Sequence, residues 1–413
     1  MSELYKLPAG WEWKKLDSIS SIVGGGTPKR NIQEYWENGS IVWLSPTDLG
    51  NIGEIIKVSS SKDMITKLGL DKSSARLLPI GTVLYSSRAT IGKIAINEIK
   101  VSTNQGFTNF ICSDGLYNYY LAYCLSNFTS EIVSLSNSTT FKEVSKSSFK
   151  SFSIPLPPLA EQKRIVAKLD SLFEKIDKAI ELHQQNITNA NTLMASTLDK
   201  TFKKLEGEYG NKTLSDSVGN PKKDIVDGPF GSNLKAPEYI QKGVPIIRIQ
   251  NIQRLEFINK DIKFVSEKKA EFLKRHSFIA SDIVITKLGE PLGKSCIVPD
   301  NLERGIIVAD IIRVRVDSSK SKNKYIMYAI NSAIAINQFS ENSMGSTRQR
   351  VKLSIVRDLK IPLPPLPIQQ QTVEYLDSIA TKVDKIKQLN EQKLENLKAL
   401  KASILDKAFR GEL

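Results

Sequence analysis

Apolar residues at Ile165, Leu169, Leu172, Ile176 and Ala179 recur in alternating steps of four and three, the seam of a coiled-coil helix. A second row, Val166, Phe173, Ile180, Ile187 and Met194, repeats every seven residues beside it. Two adjacent stripes predict a helix that packs against more than a thin partner. No Gly or Pro interrupts the chain to about Leu205, and a second such helix is predicted from about Ile368 to Phe409, with Leu376, Ile379, Val383, Ile386, Leu397, Leu400 and Ile404 on its seam. At about 1.5 Å per residue, roughly 40 to 45 helical residues make rods of about 60 to 65 Å.

Each helix follows the same six residues, Ile154-Pro155-Leu156-Pro157-Pro158-Leu159 and Ile361-Pro362-Leu363-Pro364-Pro365-Leu366, at an offset of 361 − 154 = 207. The prolines force an extended segment and then a helix start. At the same offset Leu169-Asp170-Ser171 answers Leu376-Asp377-Ser378, and Leu198-Asp199-Lys200 with Phe202 answers Leu405-Asp406-Lys407 with Phe409. The chain is therefore a tandem of two similar halves.

Ahead of each helix lies a globular segment of short β-prone runs: Ile41–Leu44, Thr82–Tyr85 and Thr108–Ile111 in the first, Pro245–Ile249, Asp282–Ile285 and Ile306–Val308 in the second. Tyr117–Ser126 is predicted to be helical. The expected class is α+β: mixed, strand-rich modules at 1–153 and 208–360, and helical spacers at 154–207 and 361–413 packed as an antiparallel coiled coil with internal pseudo-two-fold symmetry. Antiparallel packing closes the molecule with least loop. His183 and Asn390 are repeat equivalents at seam positions near the helix midpoints, and two readings are open: a buried polar contact that fixes register, or solvation at a loose point.

A formal net charge of +14 and a pI near 9.4 point toward a polyanionic partner. Cys112, Cys124 and Cys296 are too few and too far apart for a disulfide framework or a zinc site. With no apolar leader and no run of about 18 apolar residues, a reduced, cytoplasmic protein that does not engage a membrane is expected.

Candidate catalytic chemistry is thin. Gly289-Glu290-Pro291-Leu292-Gly293-Lys294-Ser295 resembles a phosphate loop but has three residues between its glycines where four are needed. The equivalent stretch Arg88-Ala89-Thr90-Ile91-Gly92-Lys93 has no such loop, so a hairpin turn common to both halves is the better account. A nucleotide-binding enzyme built on that turn, and a coiled-coil protein adaptor, are the alternatives. His183 and His276 are the only histidines. Asn220-Pro221 is followed by Lys222-Lys223 rather than by the Pro and aromatic residue of an amino-methyltransferase site, and Gly24-Gly25-Gly26 has the wrong spacing for a dinucleotide fingerprint.

Two similar basic modules on a rigid spacer form a ruler that suits two different half-sites on a duplex. Base reading favours Arg or Lys at guanine and Asn or Gln at adenine, with hydroxyls and amides on phosphates. Lys29, Arg30, Thr47, Arg88 and Lys142 fit this role in the first module. Ser232, Asn233, Arg248, Gln250, Asn251, Lys287, Thr347, Arg348, Gln349 and Arg350 fit it in the second. For any single one, a phosphate contact or plain surface is the commoner use.

The doubled Ile-Pro-Leu-Pro-Pro-Leu, the Leu-Asp repeats, the ending Leu405–Leu413 and the openings Gly25-Gly26-Thr27-Pro28 and Asp227-Gly228-Pro229-Phe230-Gly231-Ser232 closely resemble the DNA specificity subunit of type I restriction-modification systems. The resemblance spans the chain; the departure at Pro367-Ile368, against Ala160-Glu161, is minor. It implies a non-catalytic subunit whose two recognition domains read a bipartite, asymmetric DNA sequence. It also implies two methyltransferase subunits and restriction/translocase subunits as partners. S-adenosylmethionine, ATP and magnesium would sit on those partners, and this chain would bind none of them. Phe173, Ile180, Ile187 and Met194 would then be a methyltransferase docking face, with packing under the recognition modules an equal alternative.

Overall fold

In the computed structural model, which describes residues 5–136, 142–343 and 349–413, the long helices run Leu159–Tyr209 and Leu366–Arg410. Each begins directly after its prolines, since Pro158 and Pro365 supply the carbonyls that accept the first backbone bonds, from Gln162 and Gln369. The chain divides into two compact units that do not coincide with its sequence halves. The first is Met1–His183 with Gln392–Leu413; the second is Gln184–Glu391. Each unit thus holds one strand-rich module, the start of the helix that follows it and the end of the other helix.

In the first unit a five-stranded sheet runs in the order Ser20–Gly24, Phe107–Cys112, Val83–Ser86, Ile94–Asn97, Ile55–Val58, antiparallel except for the last pair. A smaller sheet sets Ile41–Leu44 between Asp63–Ile65 and Val101–Thr103. In the second unit, Ile225–Asp227, Ile311–Val314, Ile283–Thr286 and Ser295–Ile297 form an antiparallel sheet. Val244–Ile247 there pairs in parallel with Arg304–Ile307, as Ile41–Leu44 does with Val101–Thr103. Every strand predicted from the sequence is present within a residue or two, and the predicted helix spans Asn118–Asn127.

The joint between module and helix is built twice from the same bonds. The prolyl segment pairs with a strand at the module's start, Glu12–Lys15 in one unit and Asn211–Thr213 in the other. Gln162 is buried; its amide donates to Gly115 and Pro157 carbonyls and accepts from Tyr117 N–H. Gln369, 207 residues on, donates to Lys320 and Pro364 carbonyls and accepts from Lys322 N–H. Tyr120 donates to the Pro155 carbonyl at 2.7 Å and Tyr325 to the Pro362 carbonyl at 2.9 Å. Tyr123 reaches Asp170, and Tyr328 reaches Asp377. The far end of the other helix closes each joint: Phe409 packs on Tyr120 in the first unit and Phe202 on Tyr325 in the second, ring centroids 5.3 and 5.4 Å apart.

Within each unit the helices are antiparallel. In the first, Arg164 reaches the Leu413 carbonyl and Asp177 reaches Lys401, so one helix rises as the other falls. In the second, Asn186 donates to the Asn390 side chain at 3.4 Å, while the core joins Met194, Leu198 and Phe202 to Val383 and Leu376. Asn390 thus takes a polar seam contact from Asn186, and half-buried His183 closes the first unit's share of the helix.

The second apolar row serves the modules. Phe173 is buried beside Tyr123, and Val166 and Ile180 join the first unit's core. Met194 is buried in the second unit's core, and Ile187 is half-buried. This corrects the docking-face expectation for Phe173 and Met194, because side chains already removed from water within their own units offer a partner no apolar surface; Ile180, like Ile187, is half-buried. Phe173 and Met194 pack within the cores of their units.

Candidate nucleic-acid interface

Five loops meet at one end of each module, joined by equivalent bonds. In the first unit, Asn104 N–H donates to Leu44, Ser87 to Gly106, and Val144 to Ser87. In the second, Val308 N–H donates to Ile247, Lys287 to Asp310, and Val351 to Lys287, and the matching strand pairs Gly24–Thr108 and Asp227–Ile312 place the remaining loop. The loops around 25, 46, 88, 105 and 143 therefore stand where those around 228, 249, 288, 309 and 350 stand. The glycines are required by contact: a Cβ at Gly25 would lie 2.0 Å from the Asn104 carbonyl, and one at Gly228 1.8 Å from the Val308 carbonyl. Close backbone approach, rather than a dinucleotide, explains both motifs.

The phosphate-loop lookalike is a hairpin. Ile283–Thr286 pairs antiparallel with Ser295–Ile297, and Thr286 exchanges bonds with Lys294 and Gly293. Ser86 does the same with Lys93 and Gly92. A phosphate loop requires a strand running into a helix, and a strand follows here. Lys93 Nζ instead ties down the neighbouring loop, reaching Pro46 and Leu49 carbonyls at 3.2 and 3.3 Å.

Side chains on this shared frame differ. In the first unit Lys29, Arg30, Thr47, Arg88 and Lys142 are all exposed. Arg30 is preset: its guanidinium lies 3.7 Å from the centre of the Trp36 ring and 2.6 Å from Asp63. Arg88 sits 3.5 Å from Glu143, and the Thr47 hydroxyl meets Ser45. Thr27 bonds the side chain of Gln105.

In the second unit Arg248 is mostly buried and held by Asp261, 2.9 Å to the carboxylate and 2.5 Å to its carbonyl. Lys263 and then Arg248 hold the Asp261 carboxyl down to about 2. Gln250 is exposed and reaches the same carboxylate at 3.4 Å. Lys287 pairs with Asp227 at 3.1 Å, and Arg350 with Asp310 at 3.3 Å. Ser232, Asn233 and Gln349 are exposed. Thr347 and Arg348 lie outside the described residues. Asn251 requires a correction. It is fully buried, its amide donates to Ile258 and Lys260 carbonyls, and its oxygen accepts from Arg248 N–H. With both ends committed to backbone it shapes the Arg248 turn and cannot reach a base.

Among the described residues no three His, Cys, Asp or Glu side chains are grouped to hold a metal ion, and no helix is long and apolar enough to cross a membrane. Burial pushes the Cys112 and Cys296 thiols up to about 12, far from a reactive thiolate.

The two modules share one loop frame and carry different polar side chains on it. The family model for the type I restriction modification DNA specificity domain matches residues 8–207 and again 224–398. The chain belongs to that family. It is similar to the type I restriction enzyme MjaIX specificity subunit of Methanocaldococcus jannaschii, with 28% identity over all of this chain and 95% of that one. It also resembles the EcoR124I/EcoR124II specificity subunit of Escherichia coli, with 34% identity over 45% of this chain and 48% of that one. A chain from a solved structure on assembly and conformational transition of the type I R-M system superposes with a TM-score of 0.78 at 21% identity, covering 99% of this chain and 100% of that one. The HsdS subunit of Thermoanaerobacter tengcongensis superposes at 0.55 with 20% identity, covering 100% and 99%. At these identities the likeness is one of fold.

This type I specificity chain also exposes one large apolar side chain on these loops. Phe230 is 84% exposed between buried Pro229 and exposed Ser232. The signal was available: an aromatic residue bracketed by Gly-Pro and Gly-Ser has no periodic neighbours to bury it.

Proposed function

We propose that the chain is the non-catalytic specificity subunit of a type I restriction-modification complex, reading a split, asymmetric duplex sequence with one half-site per unit. The observation that carries this reading is the loop-for-loop equivalence of the two recognition ends, combined with their different side chains. Equal frames present Arg30, Thr47 and Arg88 in one unit and Arg248, Gln250, Lys287 and Arg350 in the other. Intraprotein carboxylates hold these cations in fixed geometry, the condition for reading a base edge rather than merely attracting phosphate. The net charge of +14 supplies the nonspecific attraction, so binding should weaken steeply with salt.

The long helices set the distance between half-sites and seat the methyltransferase and restriction subunits. Four leucines support two equivalent methyltransferase positions. Leu182 and Leu389 are repeat partners, 53% and 50% exposed, and Leu193 and Leu400 are another such pair, 49% and 48% exposed. Apolar side chains left in water at symmetric positions suit two copies of one partner. S-adenosylmethionine, ATP and magnesium belong to those partners in this reading. Co-expression with the methyltransferase subunit and mapping of modified bases should give a bipartite target with unlike halves. Methylation without sequence preference would overturn the reading, as would ATP binding by this chain that is lost on Lys294→Ala.

A further inference from the structure

We propose that Phe230 is a wedge that enters the base stack of the half-site read by the second unit. The inference rests on the DNA-reading role of the loops described above. Phe230 is the most exposed large apolar side chain among the described residues, at 84%. Single exposed hydrophobics are ordinary on protein surfaces, so exposure alone assigns nothing. Phe272, 69% exposed, is such a case: it closes a short helix with Lys269 Nζ 5.4 Å from its ring.

Phe230 differs in how it is held and what surrounds it. Gly228 and Pro229 beneath it are buried. Gly228 donates to the Ile311 carbonyl at 2.8 Å and lies so close to Val308 that no side chain fits there. Pro229 fixes its own φ. Asp227, one step earlier, is clamped by Lys287 at 3.1 Å, and its carbonyl meets His276 Nδ1 at 2.6 Å. On the far side the Phe230 carbonyl accepts from Asn233 N–H at 2.8 Å. The ring therefore projects from a backbone bonded on both sides, three residues after the Asp227 that Lys287 holds. The ordering cost of its backbone has been met in folding rather than in binding.

A planar apolar group carried on a fixed backbone, in a loop that also exposes Ser232 and Asn233, suits a partner that offers phosphates outside and flat apolar faces inside. An apolar side chain inserted between base steps partly unstacks them and bends the duplex, most readily at flexible pyrimidine–purine steps. At the equivalent position the first unit carries Thr27, whose hydroxyl bonds Gln105, and the loop Gly24–Arg30 has no aromatic side chain. The distortion should therefore occur in one half-site only.

The test uses the full chain in complex with its methyltransferase subunit and duplexes of the mapped target, with 2-aminopurine placed at successive positions. A severalfold rise in fluorescence is expected at one step of one half-site, lost in Phe230→Ala and kept in Phe230→Trp. Affinity for the target should fall about tenfold in Phe230→Ala and recover in Phe230→Trp. Specific binding by the unaltered complex with no rise at any position, or a rise unchanged in Phe230→Ala, would overturn the wedge while leaving the DNA reading intact. Absence of specific binding by the unaltered complex would overturn the DNA reading itself, and the wedge with it.

Discussion

In the first unit the Lys401 ammonium lies 4.8 Å from the centre of the Phe173 ring and 2.8 Å from Asp177. The repeat-equivalent residues of the second unit are Met194, Ala380 and Asp384, and there a cleft of about 710 Å³ opens between Leu198, Val383 and the loop carrying Arg254. An aromatic ring and a cation have been exchanged for a methyl group and a thioether, and the space has been left unfilled. The joints on either side, by contrast, repeat bond for bond. Positions that fix the direction of the helix relative to its module are held to one solution, while positions that only fill the volume between them vary. The recognition ends follow the same division, with one backbone frame and two sets of side chains.

Substitutions can break or sharpen this contrast. Phe173→Ala should cost about 3 kcal/mol in denaturant unfolding, because it removes a buried ring and leaves Lys401 without its platform. Gln162→Leu and Gln369→Leu should each cost about 2 kcal/mol by leaving one buried backbone N–H and two carbonyls unpaired. Equal losses are expected in the two, and a large inequality would break the claim that the joints are equivalent. Arg350→Ala should weaken target binding by about 1 to 3 kcal/mol and relax preference at one position of one half-site; unchanged preference would remove it from base readout. Ala380→Phe should stabilise the second unit by about 1 kcal/mol, the smallest effect, and a loss of stability would mean the cleft cannot accept the ring its counterpart holds.

The helices, the joints and the class of fold were legible in the sequence because each leaves a local mark. Prolines fix the extended entry, the heptad rows mark the seam, and the 207-residue offset exposes the duplication. The parallel pairing of Ile41–Leu44 with Val101–Thr103 leaves no such mark, since strands so far apart carry no local record of which edge they join. At the recognition end, Asn251 in a polar loop reads the same from sequence whether it caps a turn or faces a base. The hold on Arg248 was hidden because Asp261 lies thirteen residues away. Phe173 and Met194 were ambiguous for a related reason: an apolar row states that something covers it, not what does.

The central claim, that two independent readers are set apart by the helices, is tested most directly by lengthening the spacer. One heptad would be added to both long helices near the unit boundary, between His183 and Gln184 and between Glu391 and Gln392, and the modified bases would be mapped with the methyltransferase subunit present. The account predicts that both half-sites keep their sequences while the unread gap between them changes length. An unchanged gap, or an altered half-site sequence, would contradict it.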